Sequence, residues 1–351
     1  MYIQILLIFL FGLIGGTVAF VIGAPMPFML GGIVGAAGFV LYYERNGAEL
    51  PKLSRWFRLA FMAIIGTMIG SRFTPDLLTL LPQFWISAVA IFPFIAIAHA
   101  GSYAIMRFIG GYNRLDSYFA ALPGGIVDSI ALAEQVGADV RVVTAQHFIR
   151  IILIVSSVPL LFLLFQGDAV GSLAGETMAT AQYTWEDIVK VIAIAAAGIT
   201  LGRLARLPVA HMIGPLMLAL ILSVGGVVEI NFPSWMQHLA QFMIGTSLGA
   251  QFSGVSHRLL VRGLGLGVLV GIYMLLLGVV AATILTQFVP AQFGALFISF
   301  TAGGLAEMSL IALSLNANPI VVALHHLWRI FLTVWVGSFA ARRIFKLVPE
   351  K

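Results

Sequence analysis

Long apolar runs follow one another along almost the whole chain, and they restrict the fold more than any other feature. A helix of about 20 apolar residues is long enough to cross a bilayer. Of the 351 residues, 60% are apolar and only 9% are charged, whereas a typical soluble domain has about 25% charged residues. The runs are too long, and alternate too little, for membrane strands. The sequence therefore predicts an all-α integral membrane protein whose main partner is the lipid bilayer.

Twelve such runs can be placed, and one long polar segment divides them into two halves. The runs of the first half are residues 3–22, 27–43, 59–73, 84–109, 117–138 and 140–165. The runs of the second half are residues 188–204, 211–230, 239–252, 264–289, 295–318 and 320–339. We therefore predict a membrane repeat at residues 1–166, a polar linker at 167–187 and a second membrane repeat at 188–351.

The two halves are related by internal repetition. Three pairs of motifs recur with an offset of 179 residues: MAIIGTMIGSRF and QFMIGTSLGAQF, PGGIVD and AGGLAE, HFIR and HLWR. A fourth pair, PFML at Pro27 and PLML at Pro215, needs an offset of 188 and predicts nine extra residues in the basic loop 44–58. A constant offset across three different motifs indicates a duplication.

The distribution of Lys and Arg predicts how the chain is threaded through the membrane. If all twelve runs cross, ten loop Lys and Arg lie inside and six lie outside. If runs 117–138 and 295–318 instead enter and return, fifteen lie inside and only Arg72 lies outside, which agrees better with the positive-inside rule. Each half then has about five spanning helices, the second half is inverted, and both termini are cytoplasmic. Inverted repeats with interrupted segments are typical of secondary transporters, and twelve plain spans in parallel repeats are the alternative.

The two interrupted segments each contain a glycine pair. Gly124 and Gly125 in the first half correspond to Gly303 and Gly304 in the second. Glycine adopts backbone conformations that other residues avoid, so a pair inside an apolar run predicts a helix break with free backbone groups. Such groups need protein, water or ligand partners at membrane depth. A helix crossing that requires small residues is the alternative.

An acidic residue follows each glycine pair by three positions. Asp128 and Glu307 therefore occupy equivalent places in the two repeats. An acid inside a membrane is costly unless it is paired or protonated, so these residues are candidates for binding solute or ions. An interfacial acid in contact with water is the other interpretation.

A histidine and an arginine recur three residues apart. His147 and Arg150, and again His326 and Arg329, share one face of their helices because of this spacing. Both arginines are expected near the middle of the bilayer, where they could form an anion-binding centre. A structural pairing of each arginine with the acid of its own repeat is equally compatible with the sequence.

Other patterns indicate packing or exclude whole classes of function. Gly66 and Gly70, like Gly245 and Gly249, have the G-x-x-x-G spacing of close helix packing. The absence of cysteine excludes thiol chemistry. No metal-binding pattern and no P-loop is present, so we expect no metal, no cofactor and no enzymatic activity. The basic residues do not form an aromatic-rich basic face, so no direct nucleic-acid binding is expected. A homo-oligomer is compatible with the sequence.

Two segments of the chain resemble the AbrB-type membrane protein family, whose members have two AbrB duplication domains. They are ALPGGIVDSIALAEQVGADVRVVTAQHFIRI at residues 121–151 and FTAGGLAEMSLIALSLNANPIVVALHHLWRI at 300–330; PMPFMLGGIVGA and GPLMLAL also fit. The resemblance covers nearly the whole chain and implies a protein of the bacterial inner membrane. Family members are labelled as regulators of gene expression or as proposed ammonia monooxygenases. The PGG-x-x-D segment is more loosely similar to the crossing region of bile-acid:sodium-symporter-like transporters, whose discontinuous helices cross fully.

Three functions are compatible with these observations. The first is secondary transport of a small solute, anionic or weakly acidic, with proton or cation coupling through the two acids. The second is a membrane sensor that takes part in regulating gene expression through a partner. The third, a membrane monooxygenase, has least support because the sequence offers no ligand set for copper or iron.

Overall fold

In the part of the chain that it describes, the computed structural model contains helices and no strands. The described residues are 2–45, 50, 51, 53, 55–71, 73, 81–166, 183–205, 207, 209–254, 257–315 and 317–343. The first-half helices are α1 (Tyr2–Val21), α2 (Pro27–Glu44), α3 (Arg55–Gly70), α4 (Trp85–Ala104), α5 (Arg114–Ala120), α6 (Ile126–Gln135) and α7 (Val140–Gln166). The second-half helices are α8 (Trp185–Leu204), α9 (Ala210–Val224), α10 (Ser234–Gly249), α11 (His257–Leu285), α12 (Phe293–Phe300), α13 (Leu305–Ser314) and α14 (Pro319–Arg343).

Several helices have the length and composition of membrane spans. Five stretches satisfy both requirements: Tyr2–Val21, Pro27–Glu44, Pro82–Ile109, Val140–Leu164 and Gly263–Leu285. Most of the residues in the first of these stretches are not buried inside the protein, so its apolar side chains are available to lipid. The all-α membrane class expected from composition is therefore confirmed at this level. The number of crossings and the inversion of the second half stay predictions.

The chain forms two compact units that do not coincide with the two sequence halves. Unit 1 consists of Met1–Pro82, Val158–Gly254 and Ala306–Ile320. Unit 2 consists of Gln83–Ser157, Val255–Leu305 and Val321–Lys351. Each unit therefore takes helices from both repeats.

The G-x-x-x-G motifs lie at close helix crossings in unit 1. Gly66 and Gly70 of α3 face the backbone carbonyls of Met212 and Leu216 in α9. The second-half copy behaves in the same way, because Gly245 of α10 faces a carbonyl of α2. A β-carbon at these positions would collide with backbone, so only glycine permits the approach. The packing role predicted for these motifs is confirmed.

Helices α2 and α9 each begin after a residue with a positive φ angle, and this shared conformation corrects the expected alignment of the repeats. Met26 (φ 44°) precedes α2, and Val209 (φ 48°) precedes α9. Residues other than glycine rarely adopt this left-handed conformation. The two positions are 183 residues apart, not 188. Pro27 is the first residue of α2 whereas Pro215 lies inside α9, so the expected equivalence of PFML and PLML is wrong.

Two close glycine contacts in unit 1 support the corrected alignment. Gly15 of α1 meets Gly31 of α2, and Gly198 of α8 meets Gly214 of α9. Both contacts bring backbone against backbone, and both pairs of equivalent residues are again 183 apart. The first repeat therefore has four residues more than the second between this region and the 179-offset motifs, rather than nine.

The helix breaks predicted at the glycine pairs are present. Helix α5 ends at Ala120 and α6 begins at Ile126, while α12 ends at Phe300 and α13 begins at Leu305. At the first break, Gly125 has φ 59°, a left-handed conformation that glycine adopts without a steric penalty. The path of these segments relative to a membrane stays a prediction.

Candidate functional site

The first His–Arg motif ties α7 to the first broken segment in unit 2. The Nε2 atom of His147 lies 2.9 Å from the backbone oxygen of Phe119. Arg150 donates from Nη1 to the backbone oxygen of Leu122 at 2.8 Å. Its Nη2 lies 3.0 Å from Nδ1 of His147. The motif therefore adds side-chain donors to two carbonyl groups near the end of α5.

The second motif repeats this arrangement on α14. The Nε2 atom of His326 lies 3.0 Å from the oxygen of Ile298, and Nδ1 lies 2.8 Å from Nη2 of Arg329. Arg329 donates from Nη1 to the oxygen of Thr301 at 2.9 Å. Every one of these residues is 179 positions after its counterpart in the first motif. The duplication seen in the sequence thus extends to individual hydrogen bonds.

The hydrogen bonds determine the tautomer of both histidines. A carbonyl oxygen can only accept, so Nε2 of each ring must carry a proton and donate it. A guanidinium can only donate, so Nδ1 must be unprotonated and accept. Each imidazole is therefore neutral in this arrangement and acts as a rigid spacer between the broken segment and the arginine.

The two guanidinium groups are buried and lie close enough to repel each other. Arg150 and Arg329 are each 2% exposed, and the charge of one acts on the other. Within the described side chains of unit 2, no carboxylate is in salt-bridge distance of either group. Among the described residues, backbone carbonyls and histidine Nδ1 atoms are the acceptors around these charges, which makes the region attractive to an anion.

Nitrogen atoms of both arginines remain without partners. The Nε atoms of Arg150 and Arg329 are buried and make no hydrogen bond in the described part of the chain. A buried donor that is left unpaired is unfavourable and calls for a functional or ligand-related explanation.

The glycine pairs lie beside these arginines. Gly124 lies two residues after Leu122, whose oxygen accepts from Arg150. In the second copy, Gly303 itself accepts from Nη2 of Arg329 at 3.1 Å. Gly304 completes the second break before α13 begins. The structure therefore brings together the glycine, histidine and arginine residues of each predicted site within unit 2.

The structure describes the side chain of only one of the two predicted acids. Asp128 lies on α6, but its side chain is outside the described part of the structure. Glu307 lies in the first turn of α13 and is 7% exposed. The expected pairings of these acids with the arginines stay predictions.

Two further polar residues in unit 2 were not identified from the sequence. Thr333 is fully buried, and its hydroxyl has no hydrogen-bond partner among the described residues. Both ring nitrogens of His99 are also buried, and neither has a hydrogen bond of good geometry among the described residues, although the ring lies near the backbone of Ala121. The available signal was asymmetry: at the 179-residue offset, Thr333 corresponds to Ile154 and His99 corresponds to Gly278. Polar residues that appear in only one repeat are not structural requirements of the repeat.

These features define a class of protein: a duplicated, multi-helix membrane-type protein in which paired His–Arg motifs hold broken helices. The family described as "Transition state regulatory protein AbrB" matches residues 28–345. The chain belongs to this AbrB family, as its repeated segments predicted.

Two relatives extend the comparison over nearly the full length. A protein of Escherichia coli (strain K12) named "Putative regulator AbrB" is 25% identical over 332 residues, which cover 93% of this chain and 92% of the relative. A protein of Bacillus subtilis (strain 168) named "Uncharacterized protein YhjN" is 24% identical over 367 residues, which cover 98% of this chain and 91% of the relative.

Proposed function

We propose that the protein is a secondary transporter of a small anionic solute in the bacterial inner membrane. The main supporting observation is the pair of buried arginines in unit 2 that have unpaired Nε atoms and no carboxylate partner among the described side chains of that unit. Each arginine is attached to a broken helix, and transporters commonly form substrate sites at such breaks. Transport through this region would make use of both repeats.

Electrostatics favours an anion as the solute. A buried guanidinium loses hydration, and backbone carbonyls restore only part of the lost interaction. A bound carboxylate or other oxyanion would add charge-assisted hydrogen bonds, which are about twice as strong as neutral ones. It would also reduce the repulsion between Arg150 and Arg329.

The acids Asp128 and Glu307 are proposed to couple solute movement to protons. Burial favours the neutral form of a carboxyl group, so an acid can take up a proton on one side of a membrane and release it on the other. Asp128→Asn or Glu307→Gln should therefore weaken the dependence of flux on a pH gradient.

The proposed topology has inverted repeats and both termini in the cytoplasm. Because the chain lacks cysteine, single cysteines can report sidedness without further changes. A cysteine at Ala174 should react with a membrane-impermeant reagent from outside, and one at Ser256 from inside; both positions lie outside the described residues. Labelling of the cysteine at position 174 only from inside would disprove the inverted arrangement.

Flux measured in liposomes tests the transport proposal. Purified full-length protein should move labelled lactate, succinate or phosphate faster than protein-free liposomes, with a rate that changes when a pH gradient is imposed. Arg150→Ala should reduce uptake of the transported solute about tenfold or more, because a charge-assisted hydrogen bond is lost. Arg141→Gln is the matched control, since Arg141 lies on the same helix with an exposed side chain and should leave flux unchanged.

A role in gene regulation is the second candidate function. It is supported by the printed name of the Escherichia coli relative and by the family description. In this case the protein would bind a solute and signal through a partner without net transport. Solute binding without flux, combined with altered transcription in cells that lack the protein, would favour the sensor. We propose no enzymatic activity, and metal analysis of purified protein tests this against the monooxygenase label.

A further inference from the structure

The arginines of the two His–Arg motifs make different numbers of hydrogen bonds. A guanidinium has five N–H donors. Arg329 uses four of them, three toward backbone carbonyls and one toward His326. Arg150 uses two within the described structure. Arg150 therefore retains Nε–H and one proton on each terminal nitrogen, and it is the arginine with donors available for a ligand.

A threonine hydroxyl without a partner lies in the same region of unit 2. Thr67, Thr200 and Thr283 each bond the carbonyl four residues earlier in their own helix. Thr333 is also helical and is fully buried, but its Oγ1 makes no such bond. Within the described part of the chain, this hydroxyl is therefore available to a ligand.

Thr333 faces the broken segment that Arg150 holds. A β-carbon placed on Gly124 would lie 3.4 Å from Oγ1 of Thr333. Leu122, two residues earlier in the same segment, accepts the hydrogen bond from Arg150. Because Gly124 has no side chain, the hydroxyl faces only the backbone of the broken segment at this point.

His99 adds a second polar group to this side of unit 2. Its ring packs edge-on against Tyr118, with 4.5 Å between the ring centroids, three residues before Ala121. Both ring nitrogens are buried, and neither has a hydrogen bond of good geometry among the described residues. Three different side chains around one broken segment thus have unpaired polar atoms.

We infer that the broken segment 121–125, Arg150 and Thr333 form a subsite for a carboxylate group, with His99 at its edge. The free donors of Arg150 bind the carboxylate oxygens, and the hydroxyl of Thr333 donates to one of them. Arg329 is a positioning residue that holds the second broken segment. The inference rests on the proposed function only for the anionic character of the ligand.

A carboxylate fits the available groups better than phosphate does. A carboxylate is planar and matches two parallel N–H donors of one guanidinium. Among the described guanidinium groups of the region, Arg150 has several free donors and Arg329 has one. A phosphate dianion would leave oxygens without partners, which is unfavourable in a buried site.

The test measures ligand binding by full-length protein in detergent. Sodium lactate and sodium acetate should raise the thermal unfolding midpoint, followed by Trp fluorescence, relative to sodium chloride at equal ionic strength. Thr333→Val should weaken the apparent affinity for lactate about tenfold, the factor expected for one hydrogen bond to a charged group, and Thr333→Ser should retain it. Thr283→Val is the control, because this hydroxyl bonds only its own helix.

A second variant places a methyl group beside the hydroxyl of Thr333 and leaves Arg150 unchanged. The contact predicted for Gly124→Ala, at 3.4 Å, is an ordinary van der Waals distance, so the variant should fold normally and lose lactate binding. The inference is wrong if neither carboxylate binds, if phosphate binds and carboxylates do not, or if Thr333→Val and Gly124→Ala bind lactate like wild type. Carboxylate binding that needs Thr333, without flux in liposomes, would support the subsite and reject transport. Unchanged flux in Thr333→Val would support transport and reject the subsite.

Discussion

Replacing Arg329 with leucine should destabilise the protein more than the same replacement of Arg150. Both changes remove one buried charge, leave one histidine Nδ1 without its donor and remove one short bond to an equivalent carbonyl. These common effects cancel when the two variants are compared. The remaining difference is two contacts of Arg329, with the oxygen of Gly303 at 3.1 Å and with that of Ser299 at 3.5 Å.

The size of the difference in unfolding free energy follows from the hydrogen bond to Gly303. A hydrogen bond to a charged group stabilises a protein by about 1.5–3 kcal/mol. The contact of Arg329 with Ser299 at 3.5 Å lies at the limit of hydrogen-bond distance and adds little. Arg329→Leu should therefore lose about 1.5–3 kcal/mol more than Arg150→Leu.

The assay is reversible unfolding by denaturant in mixed micelles, followed by the fluorescence of the native tryptophans. Arg141→Gln gives the baseline for an exposed arginine on helix α7. Equal losses for the two leucine variants, or a larger loss for Arg150→Leu, would refute the argument that Arg329 is the more strongly structural member of the pair.

Two further predictions concern unit 1. Gly35→Ala should be destabilising because a β-carbon there would collide with the backbone oxygen of Phe11, whereas Gly38→Ala on the same helix has open space and should stabilise the protein by about 1 kcal/mol in denaturant unfolding. Asp187 is the third residue of α8 and forms a capping box with the N-cap residue Thr184. Burial opposes its ionisation, but hydrogen bonds, chiefly from Thr184, outweigh this effect and hold the pKa of the carboxyl below its usual value. Its stabilising contribution should be complete at neutral pH and lost as the pH falls through that lowered pKa; Asp187→Asn should remove this acid dependence, and an unchanged pH profile would contradict the assignment.

Local features of the fold were predictable because they depend on nearby residues. The run predicted at 140–165 is helix α7, Val140–Gln166, since a long apolar segment must satisfy its backbone groups internally in lipid. The break at the first glycine pair was also predictable from local sequence, because Gly125, which directly precedes α6, permits a left-handed backbone angle. The spacing of His147 and Arg150 also places both on one face whatever the rest of the chain does.

The alignment of α2 with α9 was not predictable from short motifs. In a chain this apolar, four-residue matches such as PFML and PLML arise easily by composition. The true correspondence depends on where the backbone turns, at Met26 and Val209. Backbone geometry of this kind is imposed by packing and carries no fixed residue type.

The amino-acid sequence by itself determined the membrane class, the duplication, the helix breaks and the residue types of the His–Arg motifs. These properties follow from hydrophobicity and short-range spacing, which are written directly in residue identity. Only the tertiary structure decided which carbonyls the motifs bind, 28 residues away for Phe119 and His147, and that Thr333 faces Gly124. The physical reason is that every residue has the same backbone carbonyl, and a hydroxyl is left unpaired only when helices distant in the chain are packed around it.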